Sequence, residues 1–518
     1  MNPSIRKVSA VLGVLMVALF LNLNFVQVVK GSSYRDAPDN SRVLLNEYAS
    51  PRGQIIVGGS PVAESKATND ELKYLRVYPQ GPLYAPVTGF YSITATPSPY
   101  LGTEGIEKYE DSVLSGGDSR LFGRRLADIL TGRNPRGGNV ELTIDAAAQQ
   151  AAYNAMKDSK GNLRKGAVVA IDPSTGAILA AVSTPSYDPS KLSLHDPSKI
   201  DDYYTALTND PADPLQNRAF NSLYFPGSIF KIVVSAAALK NGVTPDTQVL
   251  APNGYIATTG ASVKSCNGDV TNCVENFEGE QCENGKTASL AYALAKSCNT
   301  AFAALAVDQL HGQAIADEAK LFGFDPDSQL TIPMGVATST IGPKSDLVDP
   351  GHLAHMAFGQ QSVRVSPLEA AMMSAAVAND GTLMTPYLVD RELAPDLSTL
   401  SKTKRSEMSQ VLSPTLDSEL QQMMEGVVTS PEGTAHSAAI SGVTVAGKTG
   451  TADTGATSAS KIQPDAWFTG YAAKNGSAKI AVAVILENAG VNGNEITGGE
   501  AAAPVARAVM EAYLKAHP

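Results

Sequence analysis

Ser228 and Lys231, in the stretch FPGSIFKIV, stand three residues apart where a Pro-Gly break gives way to an apolar run. In a helix, the two side chains share one face of its first turn. A lysine amine whose pKa is lowered can take the serine proton and make the hydroxyl a nucleophile. A position just inside a helix N-terminus also leaves backbone N–H groups free to bind a developing oxyanion. The Ser-x-x-Lys spacing recurs at Ser4–Lys7, Ser401–Lys404 and Ser458–Lys461. The first precedes a long apolar segment, the second lies in the polar run LSTLSKTKRSEMS, and the third in TGATSASK. Only Ser228 is followed by an apolar helix able to bury its lysine.

The tetrapeptide KSCN occurs twice, at 264–267 and 296–299. The first copy sits among Gly, Asp and Asn in a cysteine-containing loop. The second is framed by LAYALA and TAFAALAV, so Ser297 and Asn299 emerge at a break between packed helices. Two polar side chains at i and i+2 point together only where the backbone leaves regular helix. There a hydroxyl can relay a proton and a carboxamide can hold a substrate amide, while Cys298 faces the interior as a small apolar residue. A third group, Lys448-Thr449-Gly450-Thr451, reads as a strand whose glycine permits close approach at its edge. Lys448 brings positive charge for a substrate carboxylate, Thr449 and Thr451 bring hydroxyl donors, and a second ammonium depresses the pKa of Lys231.

These groups need a scaffold to hold them. A chain of 518 residues exceeds what one hydrophobic core organises, which predicts at least two domains. The net charge of −11 argues against a general nucleic-acid binder. Arg6 and Lys7 precede an uncharged run, 8–29, long enough to cross a hydrocarbon core. No convincing cleavage site follows, and the basic leading segment places the bulk of the chain outside the cytoplasm. Residues 1–30 are thus a short tail and signal anchor. Residues 31–141 read as a small mixed domain of short strand-like runs, such as SPRGQIIVGGSPVAES and YPQGPLYAPVTGFYS, ending near TGRNPRGGNVELTID. Residues 142–518 supply a capped helix (TIDAAAQQAAYNAM), a hairpin (KGAVVAIDPSTGAILAAVSTP), three apolar helices, three strands and a closing helix. That order predicts an α+β sandwich of helices about an antiparallel sheet. Three of the four cysteines, Cys266, Cys273 and Cys282, fall in one loop with no zinc spacing and no nearby His. A local disulfide is expected; Cys266–Cys282 closes the loop, and pairing through Cys273 stays open.

The order Ser-x-x-Lys, Ser-x-Asn, Lys-Thr-Gly is the signature of penicillin-recognising serine acyltransferases. The separations are 69 residues from Ser228 to Ser297 and 151 from Ser297 to Lys448. With SPRGQIIVGGSPVAES, GTEGIEKYEDSVLSG, GAVVAIDPSTGAILAAVSTPSYDP, AFGQQSVRVSPLEAAMMSAAVANDG and AWFTGYA, the chain resembles a class B penicillin-binding protein over nearly its whole length. The short pedestal, single span and absence of an appended C-terminal module are most similar to the actinobacterial branch associated with septal wall synthesis. The resemblance implies a penicillin-binding, serine β-lactamase-like transpeptidase domain on a dimerisation-like pedestal, with D,D-transpeptidase activity on peptidoglycan stem peptides. Ser228 would attack the penultimate D-Ala carbonyl with Lys231 as base, and Ser297 would pass the proton to the departing nitrogen. Asn299 would bind the donor backbone, and Lys448, Thr449 and Thr451, around Gly450, its terminal carboxylate. The backbone N–H groups of Ser228 and Thr451 would form the oxyanion hole. The resemblance also implies β-lactams as covalent inhibitors, a lipid-II polymerase and division proteins as partners, and no metal or organic cofactor. Two departures stand out. Gly359-Gln360-Gln361 replaces a frequent Gly-Gln-Gly, and Asp465 stands where His often precedes Ala-Trp-Phe.

Three other readings compete. A class A β-lactamase needs a Glu-x-x-x-Asn after the second motif, and none lies between Asn299 and Lys448; the pentad Glu280–Asn284 comes before it. A D,D-carboxypeptidase would use the same residues on water. A β-lactam sensor or scaffold would bind partners through the pedestal, with acylation vestigial.

Overall fold

The computed structural model describes residues 3–30, 48–93, 105–269, 271–324, 330, 332, 334–452, 464–489 and 497–518. Helix α1 (Pro3–Asn24) continues through a wider turn, Phe25–Val29. Within it Ile5–Gln27 has a mean hydropathy of 2.2 and is, among the described residues, the one helix long and apolar enough to cross a membrane. At 1.5 Å per residue its 23 residues span roughly 34 Å, against a hydrocarbon core of about 30 Å.

The first folded unit starts with β1 (Ile55–Val57), β2 (Ser60–Ala67) and β3 (Tyr74–Val77), an antiparallel meander. The segment YPQGPLYAPVTGFYS departs from the strand-like expectation, because its centre is helix α2 (Gly81–Thr88). Pro82 in the first turn has its φ preset for a helix, and Leu83, Tyr84, Ala85 and Val87 are buried. Helix α3 (Phe122–Leu130) follows, then β4 (Asn139–Leu142), parallel to β1. A charged cluster sits beneath the sheet. The fully buried Glu107 carboxylate accepts from Arg52 Nε and Arg76 Nε at 2.6 Å each, and from the Tyr78 hydroxyl at 3.1 Å. Burial works against its charge, but the Arg76 and Arg52 guanidiniums prevail and hold the carboxyl below its ordinary pKa.

Asp145 caps α4 (Ala146–Ala155), its carboxylate accepting from the Ala148 N–H. Strands β5 (Gly166–Ile171) and β6 (Ile178–Thr184) form the expected hairpin. The helical middle comprises α5 (Lys231–Lys240), α6 (Leu290–Lys296), α7 (Asn299–Ala304) and α8 (Pro367–Val377), the last capped by Ser366. Then come β7 (Val389–Leu393), β8 (Thr399–Lys402) and α9 (Pro414–Thr429). The chain closes with β9 (Thr444–Ala452), β10 (Asp465–Lys474), β11 (Ser477–Leu486) and α10 (Ala503–Ala516). One antiparallel sheet, in the order β9-β10-β11-β5-β6, lies between α4 and α10 on one face and α8 on the other. Because both faces are covered, β5, β6 and most of β9–β11 are continuously buried instead of alternating. Strands β7 and β8 leave this sandwich and extend the first sheet, giving β8-β7-β4-β1-β2-β3. The two sequence regions therefore share backbone hydrogen bonds as well as a covalent link.

Candidate active site

Ser228 lies in a single tight helical turn, Gly227–Phe230, that runs straight into α5. Gly227 has a φ of +54°, and a Cβ there would lie 2.9 Å from the Thr451 carbonyl oxygen, so only glycine lets this turn press against β9. Ser228 is half-buried, whereas Lys231 one turn later is fully buried. α6 ends as Ser297 turns left-handed at φ +67°, Cys298 is extended, and α7 begins on Asn299. That two-residue break brings a hydroxyl and a carboxamide to one side, as the sequence pattern requires. Lys448 comes from the middle of β9 and is also fully buried.

These groups converge on one nitrogen. Lys231 Nζ lies 3.1 Å from Ser228 Oγ, 2.7 Å from the Ser297 carbonyl oxygen, 3.2 Å from Ser297 Oγ and 2.8 Å from Asn299 Oδ1. The carbonyl and the carboxamide oxygen can only accept. A neutral amine satisfies both with its two N–H bonds and keeps its lone pair for a hydroxyl proton. Asn299 Nδ2 donates to the Glu275 carbonyl at 3.3 Å, which fixes the amide with its oxygen toward the lysine. Burial lowers the Lys231 pKa well below that of an ordinary lysine, and the Lys448 charge lowers it further. Lys448 Nζ donates to Ser297 Oγ at 2.9 Å and to the Thr449 carbonyl at 3.0 Å, and burial brings its pKa down to about 7. The result is a continuous line from Ser228 through Lys231 and Ser297 to Lys448.

The line forms the floor of a cleft of about 1160 Å³ that Ser228, Ser297, Asn299, Thr449 and Thr451 all border. Gly450 is buried behind them; a Cβ there would meet the Pro226 carbonyl at 2.9 Å and Trp467 Cβ at 3.1 Å. The first KSCN is elsewhere in character, with Lys264, Ser265 and Asn267 exposed. Ser401 lies on β8 and donates to Glu392, and the Ser458–Lys461 pair falls outside the described residues. Among the described residues no cluster of His, Cys, Asp or Glu could hold a metal ion.

The cysteine expectation is corrected. Cys266 bonds to Cys273 and Cys282 to Cys298, so Cys266–Cys282 does not form and Cys298 is not a free apolar filler. Cys273 opens a short strand, Cys273–Glu275, within reach of Cys266 across the loop, with Cα atoms 5.5 Å apart. Cys298, extended between its two helices, meets Cys282 at a Cα separation of 5.8 Å. The available signal was the even count of four cysteines, which can leave none unpaired. The loop consequently walls the cleft: Lys296 pairs with Glu280 at 2.7 Å, and Thr300 donates to Asn276. Thr434, whose hydroxyl lies 2.6 Å from that of Thr449, also borders the cleft. No motif in the sequence marks Thr434 or Asn276. Of the two departures, Gln361 sits at φ +60°, a conformation that suits the glycine of relatives. Asp465 is buried, and desolvation raises its pKa to about 6 against the hydrogen bond it accepts from the Asn488 N–H.

A half-buried serine beside a buried lysine, a second serine and an asparagine at a helix break, and a strand-borne lysine, on a five-stranded sheet between helices, match the fold and motif order of the penicillin-recognising serine acyltransferases. The chain belongs to the class B penicillin-binding protein transpeptidases: the Penicillin binding protein transpeptidase domain family matches residues 166–511, and the Penicillin binding protein A dimerisation domain matches residues 52–140. It is 44% identical over 520 residues to the peptidoglycan D,D-transpeptidase PbpA of Mycolicibacterium smegmatis, covering 99% of both chains. Against PbpA of Mycobacterium tuberculosis the identity is 42% over 518 residues, covering 100% of both. The crystal structure of the M. tuberculosis penicillin-binding protein A ceftriaxone acyl-enzyme superimposes with a TM-score of 0.81 at 42% identity, over 91% of this chain and 100% of that one.

Proposed function

We propose that this chain is a serine D,D-transpeptidase that cross-links peptidoglycan stem peptides and is acylated by β-lactams at Ser228. The observation that carries the reading is the placement of Lys231 Nζ among Ser228, Ser297 and Asn299, with Lys448 on the far side of Ser297. Lys231 accepts the Ser228 proton as Oγ attacks the penultimate D-Ala carbonyl. The backbone N–H groups of Ser228 and Thr451 receive the oxyanion. Lys448, Thr449 and Thr451 bind the donor carboxylate, and Asn299 its peptide backbone. The proton on Lys231 passes through Ser297 to the departing D-Ala nitrogen. An amine of a second stem peptide then attacks the acyl-enzyme, with Lys231 again as base, and restores Ser228.

Helix α1 serves as the anchor, with the catalytic domain outside the cytoplasm. The pedestal, residues 31–141 with β7 and β8 attached, is the surface for a lipid-II polymerase and other division proteins, and the setting is septal wall synthesis. The absence of a Glu-x-x-x-Asn between Asn299 and Lys448 favours a long-lived acyl-enzyme over β-lactam hydrolysis.

Intact-mass measurement of the protein with a β-lactam tests the chemistry. The wild type gains one adduct that is lost only slowly, and Ser228→Ala gains none. An adduct on Ser228→Ala would place the nucleophile elsewhere. Supplied with a pentapeptide donor and an amine acceptor, the enzyme yields cross-linked dimer; release of D-Ala without dimer would make it a carboxypeptidase, and neither product a sensor.

A further inference from the structure

Helix α3 is inside out. None of its nine residues is buried. Its polar edge faces the protein, where Arg124 Nη1 lies 2.5 Å from Asp396 Oδ1 and Nη2 donates to Ser398 at 2.9 Å. Its apolar edge faces outward: Phe122, Leu126, Ile129 and Leu130 are 67, 45, 56 and 78% exposed. Spaced i, i+4, i+7 and i+8, these four side chains form a single stripe. A helix this short is marginal in water without a surface to cover such a stripe.

Charge indicates what covers it. The whole chain carries −11, yet residues 119–137 hold five arginines and one acid. Arg125, Arg133 and Arg136 are exposed, and their guanidiniums make no hydrogen bond or ion pair with another described residue. An apolar stripe flanked by free guanidiniums has the composition of a helix lying in a lipid–water interface. Docking against the same helix of a second copy would bring the two arginine sets together, which like-charge repulsion opposes. A lipid surface is also close at hand. Seventeen residues, 31–47, separate Lys30, just past the helical turn that follows α1, from Tyr48, a reach of no more than about 60 Å even when fully extended.

We propose that α3 docks on the anionic lipid surface of the membrane in which α1 is anchored, seating Phe122, Leu126, Ile129 and Leu130 among the acyl chains and Arg125, Arg133 and Arg136 among the headgroups. The proposal uses the anchor but not the chemistry of Ser228, so the two readings fail separately.

All four native cysteines are in disulfides, so Leu126→Cys offers a unique thiol for an environment-sensitive fluorophore. The labelled full-length chain is reconstituted in vesicles of phosphatidylcholine, with or without phosphatidylglycerol. β-Lactam labelling of Ser228 verifies that each variant is folded. The expected result is blue-shifted emission, quenched by spin-labelled lipid, in the phosphatidylglycerol vesicles. Combining R125E, R133E and R136E weakens the lipid-bound state on the order of a hundredfold, and added salt weakens it too. Water-like emission in anionic vesicles would overturn the proposal. So would blue-shifted emission that ignores the lipid quencher and grows with protein density, since a second copy would then cover the stripe.

Discussion

Lys231 and Lys448 are both buried, and both have pKa values below that of a free lysine, but the chemistry needs them in opposite states. The proposed mechanism requires Lys231 neutral to take the Ser228 proton and Lys448 charged to hold a carboxylate. Acylation is therefore expected to fall at low pH, as Lys231 becomes protonated. It falls again above about pH 7, as Lys448 loses its proton. A β-lactam acylation rate measured across pH should be bell-shaped, and a rate rising monotonically through pH 9 or so would remove Lys448 from the binding role. Lys231→Arg keeps the charge but cannot supply a neutral amine, so acylation should slow by about 10²–10⁴-fold without loss of fold, as read by fluorescent-penicillin labelling and circular dichroism. At this scale the sequence was highly legible, because Ser-x-x-Lys, Ser-x-Asn and Lys-Thr-Gly are local words whose spacing encodes their geometry. Thr434 and Asn276 were not, since their place beside the cleft depends on contacts with Thr449 and Thr300 that no local pattern encodes.

The break between α6 and α7 is held from both sides: Ser297 turns left-handed, and Cys298 is bonded to the cleft wall at Cys282. Cys282→Ser with Cys298→Ser should lower stability by about 3 kcal/mol and slow acylation, because the link that sets the Ser297–Asn299 break is lost. Cys266→Ser with Cys273→Ser, which loosens only the outer loop, should leave the acylation rate near wild type. Equal slowing by both pairs would show that the whole wall, and not this link, orders the site. Gln361→Gly removes a side chain from a left-handed position and should raise stability by about 0.5–1 kcal/mol in thermal unfolding. Elements with one strong period or a clear cap, such as α4 behind Asp145 and the β5–β6 hairpin, were readable from the sequence. Helix α2 was not, because its prolines and glycines read as breaks while Pro82 in fact starts the turn and burial of Leu83 and Tyr84 completes it. Disulfide partners were unreadable for a related reason: Cys266 and Cys282 share a loop in sequence, but the fold carries Cys282 to Cys298.

Across the molecule, the least expected feature was the sheet that combines β1–β4 with β7 and β8, since pairing across some 250 residues leaves no local trace. Its stability depends on Glu107, which is enclosed by Arg52 and Arg76. Glu107→Ala strands two buried guanidiniums and should cost about 3–5 kcal/mol, seen as a lower first transition in thermal unfolding, with Ser228 still labelled by penicillin below it. The shared sheet also has a mechanical meaning. A pull on α1 enters β1 toward its N-terminus, while β4, parallel beside it, is held by the catalytic half at its C-terminus. Tension therefore slides the two strands along each other, loading their hydrogen bonds together instead of peeling them apart one at a time. Anything that drags on α1 is transmitted to the body that holds Ser228, through a joint built to bear load.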